Sequence, residues 1–123
     1  LALLEPHSIY YEEPHSSALP LKEEYTMFIV HEHINVAKIP VDQAEALYQK
    51  HADWFIRHFN QGHFVLGGPY VDIPDSGLFL ANLPSREELD AVLSEDVYSK
   101  DDMASYEIHE FQVSMAATIT PEV

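Results

Sequence analysis

The stretch from Asp42 to Pro69, DQAEALYQKHADWFIRHFNQGHFVLGGP, decides the fold of this 123-residue chain. Within it Ala44, Leu47, Tyr48, His51, Trp54, Phe55 and His58 recur at three- and four-residue steps, the helical period. Asp42 followed by Glu45 has the form of a capping box, and Gly62 is suited to a left-handed helix stop, so the spacing predicts a helix over 42–61. A short apolar strand, 63–66, should follow and be broken by Gly67-Gly68-Pro69. One member of the apolar stripe is out of character. His51 sits where a hydrophobic residue would be cheaper, because a buried imidazole costs free energy unless it is hydrogen-bonded. Histidine is also the usual proton shuttle near neutral pH.

Upstream, Thr26 to Val30 is an apolar, β-rich run that continues through His31-Glu32-His33 as a first strand. Downstream, Asp72, Pro74, Asp75 and Gly77 punctuate a turn, and 78–82 reads as a third strand. Ser85 with Glu88 is a second capping box, opening a helix through Leu89, Val92 and Leu93. Residues 96–105 should be irregular or short helical turns, and 106–115 the last strand. The order β-α-β-β-α-β predicts an α+β, ferredoxin-like fold, an antiparallel four-stranded sheet with both helices on one face. Its crossovers set the first strand between the third and the last. Strand side chains alternate, so Met27, Ile29, Phe111 and Val113 cannot all face the helices. The exposed apolar face then calls for a second copy of the sheet, a dimeric α+β barrel. On this reading 1–24, with Pro6, Pro14 and Pro20, is an irregular N-terminal arm, 25–117 is the barrel domain and 118–123 is a C-terminal tail.

Composition bounds the partners. A formal charge of -15, from 21 acidic against 6 basic residues, argues against nucleic acid and anionic membranes. No apolar run approaches a membrane span, and Leu1-Ala2-Leu3-Leu4 is too short for the apolar region of a signal peptide. The absence of cysteine excludes disulfides and thiolate metal sites and suits a cytoplasmic protein.

Several residues match a known pattern in order: His51 in mid-helix, Gly62 at its end, Gly67-Gly68-Pro69, then Asp72, and Asp96-Val97-Tyr98 after the second helix. Over residues 26–115 the chain resembles the YciI-like family of small dimeric α+β barrel proteins. Val97 stands where that family has proline. The resemblance implies an active site built from His51 and Asp96 in a cleft beside the sheet. Substrate would be bound by Gly67, Gly68, Pro69, Asp72 and Tyr98. It also implies cofactor-free chemistry on small molecules, since related proteins include a chlorohydroxyquinol dehydrochlorinase and muconolactone isomerases.

His51 with Asp96 is chemically sensible as a general base with a carboxylate that fixes its tautomer. The competing reading is a core histidine satisfied by a backbone carbonyl. Glycines at 67 and 68 would let a substrate approach backbone N–H groups, or would serve close packing against the helix. Tyr70, Tyr98 and Tyr106 could each bring a phenol to the cleft. His31 and His33 share a strand face and His109 lies on the neighbouring strand; the trio could bind a transition metal, but it lacks a recognised ligand spacing and reads first as polar residues on a barrel rim. The expected protein is a small, cofactor-independent lyase or isomerase acting on a small cyclic or aromatic-derived substrate, as a homodimer or larger assembly. The alternative is a non-catalytic ligand-binding or accessory dimeric module.

Overall fold

The computed structural model describes residues 25–117; the N-terminal arm and the C-terminal tail lie outside the described residues. Nine residues, Thr26–Ile34, form β1, in which burial alternates from Phe28 to Glu32. Phe28 and Val30 join the core beneath the helices, whereas Ile29, half-buried, points to the other face. Helix α1 spans Ala44–Asn60, β2 Phe64–Pro69, β3 Ser76–Ala81, α2 Arg86–Leu93 and β4 Ala104–Gln112. All strand pairs are antiparallel and the order is β2-β3-β1-β4, with β1 between β3 and β4. This is the ferredoxin-like α+β arrangement. No helix among the described residues is long and apolar enough to cross a membrane.

Both helices cover one face. Trp54 of α1 and Leu89, Val92 and Leu93 of α2 share a core cluster with Phe28, Val30, Phe64, Phe79 and Ala81. The indole N–H of Trp54 donates to the Val92 carbonyl at 2.9 Å, satisfying its one polar atom and tying α1 to α2.

The helix ends divide. Gly62 takes φ +84°, the left-handed turn that stops α1, and Ser85 Oγ accepts from the Glu88 N–H to cap α2. The Asp42–Glu45 box, however, does not form. Pro40 starts a 3-10 turn over Val41–Gln43, and α1 begins only at Ala44 with Gln43 as its uncapped N-cap. Tyr48 also leaves the core: it is 61% exposed.

The Gly67-Gly68-Pro69 run does not break β2 but completes it. A bulge at Val65 shifts the register, so that Phe64 pairs with Ala81 but Leu66 with Leu80 and Gly67 with Phe79. Without the bulge Leu66 would face α1. With it Gly67 does, and the space is taken. A Cβ there would lie 2.7 Å from Phe79 Cβ and 2.8 Å from Phe55 Cζ. Pro69 is tolerated because β2 is an edge strand.

Candidate active site

The apolar stripe of α1 carries His51 one turn before Trp54, so its ring is held over the sheet. Asp96 arrives from the loop after α2. Its own carboxylate orders that loop, accepting the Tyr98 N–H at 3.2 Å, while its carbonyl accepts from the Ser99 N–H and hydroxyl. Val97 in place of proline therefore does not leave the turn unfixed. Glu32 enters from β1 on the same side as Phe28 and Val30, and Tyr106 from the adjoining β4.

These four side chains meet at one point. His51 Nδ1 lies 2.8 Å from Asp96 Oδ1 and 3.9 Å from Glu32 Oε2. The Tyr106 hydroxyl donates to Asp96 Oδ2 at 2.7 Å. Asp96 is fully buried, and Glu32 is 7% exposed with no donor to Oε2 among the described residues. The Tyr98 ring leans on His51 with centroids 4.8 Å apart.

The charges follow from these surroundings. Burial pushes Glu32 up to about 10, and its contact with the Asp96 carboxyl adds to the rise, so Glu32 keeps its proton at neutral pH. Burial would raise Asp96 too, but hydrogen bonds from His51, Glu32 and Tyr106 outweigh it and hold Asp96 below its ordinary range. Burial, then the nearby carboxyl groups, raise Tyr106, which stays a phenol. Since an ionised carboxylate only accepts, His51 Nδ1 must carry the hydrogen, which leaves Nε2 as the basic nitrogen.

A cleft of about 610 Å³ opens beside this cluster, between α1 and the end of the sheet. Glu32, His51 and Tyr98 line it, with Gly68, Pro69, Tyr70 and Tyr48. Its wall is otherwise largely apolar, from Ile34, Val36, Ile39, Phe55, Ile56 and Phe79. Of the residues singled out in the sequence, His51 and Asp96 are brought into direct contact, and Tyr98, Gly68 and Pro69 lie at the cleft. Gly67 sits against Phe55 and Phe79, and Asp72 is exposed in the turn before β3, away from the lining.

The three strand histidines do not gather. His31 Nδ1 bonds the Tyr70 hydroxyl, His33 Nδ1 the Ser76 hydroxyl, and His109 Nε2 the Glu107 carboxylate. Glu32 is the residue that sequence reasoning missed. The signal was available: it is the next inward position after Phe28 and Val30, a carboxyl group where alternation demands a core residue.

A family model described as YCII-related domain matches residues 25–112. No curated protein matches the chain in sequence. One solved structure that is similar is a conserved protein of unknown function from Bacteroides thetaiotaomicron VPI-5482, described as a possible oxidoreductase. It aligns at 10% identity with a TM-score of 0.46, covering 72% of this chain and 96% of that one. At that score the likeness carries no functional weight.

Proposed function

The chain belongs to the YCII-related domain family, and from that premise we propose that it is a small acid–base enzyme of the lyase or isomerase type. The observation that carries this reading is the 2.8 Å contact between His51 Nδ1 and the buried Asp96 carboxylate, made by a histidine that also lines the cleft. Asp96 fixes the tautomer. His51 Nε2 then takes a proton from an acidic C–H of the substrate and returns it at another carbon, or keeps it while a leaving group departs. Tyr98 and the β2 segment at Gly68 and Pro69 would hold a small cyclic or aromatic-derived ligand. Gly67, packed against Phe55 and Phe79, and the exposed Asp72 lie outside the cleft lining and are given no role in binding.

We also place the protein in a homodimer. Ile29, Leu66, Leu78 and Leu80 are half-buried on the sheet face away from the helices, and a second sheet would cover them. Light scattering that reported a monomer at working concentration would remove this element. One observation favours the non-catalytic module instead: Asp96 has a structural task, since it caps its own loop.

Kinetics separate the two. Turnover of small lactones and halogenated quinols should collapse in His51→Ala and fall in Asp96→Asn while both variants remain folded. Unchanged turnover in folded His51→Ala would take His51 out of the chemistry. A cleft that binds such compounds without converting any of them would favour the module.

A further inference from the structure

The carboxyl groups of Glu32 and Asp96 and the imidazole of His51 do more than orient a base. Each offers a ligand atom, and the three atoms lie within 4.8 Å of one another. From their geometry we infer that Glu32, His51 and Asp96 form a binding site for a divalent transition-metal ion at the inner end of the cleft.

Two further observations point to a ligand. Oε2 of Glu32 is buried and finds no donor among the described residues, although the Glu32 side chain is only 8% exposed. A cation there would take the place of the proton that Glu32 otherwise holds against Asp96, and would satisfy Oε2 together with its two neighbours. Asp96 is also braced as metal-binding carboxylates usually are. One oxygen, Oδ2, accepts from the Tyr106 hydroxyl, and the other, Oδ1, accepts from the Tyr98 N–H while facing His51. The observed spacings of 2.8 Å and 3.9 Å from His51 Nδ1 bracket the roughly 3.3 Å that separates ligands around a tetrahedral ion with bonds of about 2.0–2.1 Å.

Two carboxylates and one imidazole are a borderline-hard donor set, suited to Zn²⁺, Mn²⁺, Fe²⁺ or Co²⁺ rather than to soft Cu⁺. Asp96 closes the back of the site, and Glu32 and His51 border the cleft, so the remaining coordination positions would face a ligand or water. This goes beyond the acid–base reading and does not depend on it. A cation on His51 Nδ1 displaces the hydrogen bond to Asp96 which that reading requires, so the metal-bound and acid–base states exclude each other.

The test uses the full chain, stripped with chelator, and Co²⁺ or Zn²⁺ alone as the probe. Trp54, the sole tryptophan, has its ring centred 5.6 Å from that of His51, so bound Co²⁺ should quench its fluorescence. The expected result is one ion per chain by calorimetry, with visible Co²⁺ bands of a nitrogen and oxygen site. Glu32→Gln should abolish stoichiometric binding, and Tyr106→Phe should weaken it by about 10-fold or more. His109→Ala should bind as the parent does. Circular dichroism checks that each variant is folded, and Tyr106→Phe decides the matter if Glu32→Gln is not. No binding at millimolar Co²⁺ and Zn²⁺, or binding that survives both substitutions, overturns the site. Metal binding is read without turnover, so its failure is distinct from failure of the acid–base proposal.

Discussion

Helix α1 presents two histidines to two consecutive acidic residues, and the two pairs have been built in opposite senses. His51 meets Asp96 and His58 meets Glu95, each at 2.8 Å. In the first pair the carboxylate is wholly buried and the imidazole is 20% exposed; in the second the imidazole is 5% exposed and the carboxylate 47%. Around His51 are a phenol, a neutral carboxyl group and an open cleft. Around His58 are Arg57, bridging to Glu95, and His63, whose Nδ1 lies 2.8 Å from His58 Nδ1. The contact distance is the same, but only the first arrangement gives a molecule access to the ring while keeping water from the carboxylate. The His–carboxylate motif therefore says little by itself. On the proposed reading, what separates the pair assigned to chemistry from the structural one is which partner faces solvent.

The largest expected effect comes from exchanging the two histidines' roles in a mutational pair. If the proposed acid–base chemistry holds, then on a substrate that the protein turns over His51→Ala should lower kcat by about 10²–10⁴-fold, the usual worth of a positioned base. His58→Ala should leave kcat unchanged. It should instead lower stability by about 1–3 kcal/mol, because it removes a buried ring that satisfies Glu95 and His63. A loss of turnover in both, measured beside thermal melts, would erase the distinction. Next in size is Asp96→Asn. The amide still fills the space but cannot accept from His51, Tyr106 and Tyr98 at once. It should reduce turnover and cost about 1–3 kcal/mol in a melting experiment.

Much of this was legible because it is local. The α1 stripe apart from Ala44 and Tyr48, the Gly62 stop and the Ser85 cap follow from residues a few positions apart, the strand order follows from the succession of elements, and the structure has each of them. What escaped depends on distant or irregular contacts. The Asp42 box looked complete but Pro40 leads the chain into the helix through a 3-10 turn. Gly67 owes its place to the bulge at Val65, which no periodicity announces. Glu32 was hidden between two histidines that drew attention to the wrong face of β1. Reading the alternation from Phe28 would have placed it beneath the helices. That its partner is Asp96, 64 residues later, rests on tertiary packing alone.

The Glu32 proton offers a sharper contrast with a pH-dependent sign. In the unfolded chain Glu32 loses its proton near 4.5, whereas in the folded chain it holds it to about 10. Stability from this group is full below 4.5 and drains away as pH rises toward 10. Glu32→Gln has no proton to lose, and its amide can donate to Asp96 in the same position. In metal-free buffer the variant should match the parent near pH 4.5 and exceed it increasingly above. The gap should widen by at most about 1.4 kcal/mol per pH unit. Asp96 has the opposite sign, since its lowered value gives stability above its unfolded range that is lost as pH falls. A parallel pair of melting curves from pH 4.5 to 9 would show that Glu32 is ionised in the folded state.

The smallest effect is expected at Glu95, and its smallness is what the comparison needs. Its carboxyl is held below the ordinary value, first by the hydrogen bond from His58 and then by Arg57, with burial opposing. Yet it is nearly half exposed, so water and salt screen most of that interaction. Glu95→Gln should therefore cost less than about 1 kcal/mol, with a difference that shrinks further in high salt. The same chemical change at Asp96, one residue along the chain, should cost more and should not fade with salt, because no solvent reaches that carboxylate. Equal losses at the two positions would mean that burial does not separate the two pairs. The assignment of chemistry to His51 would then have to rest on the cleft alone.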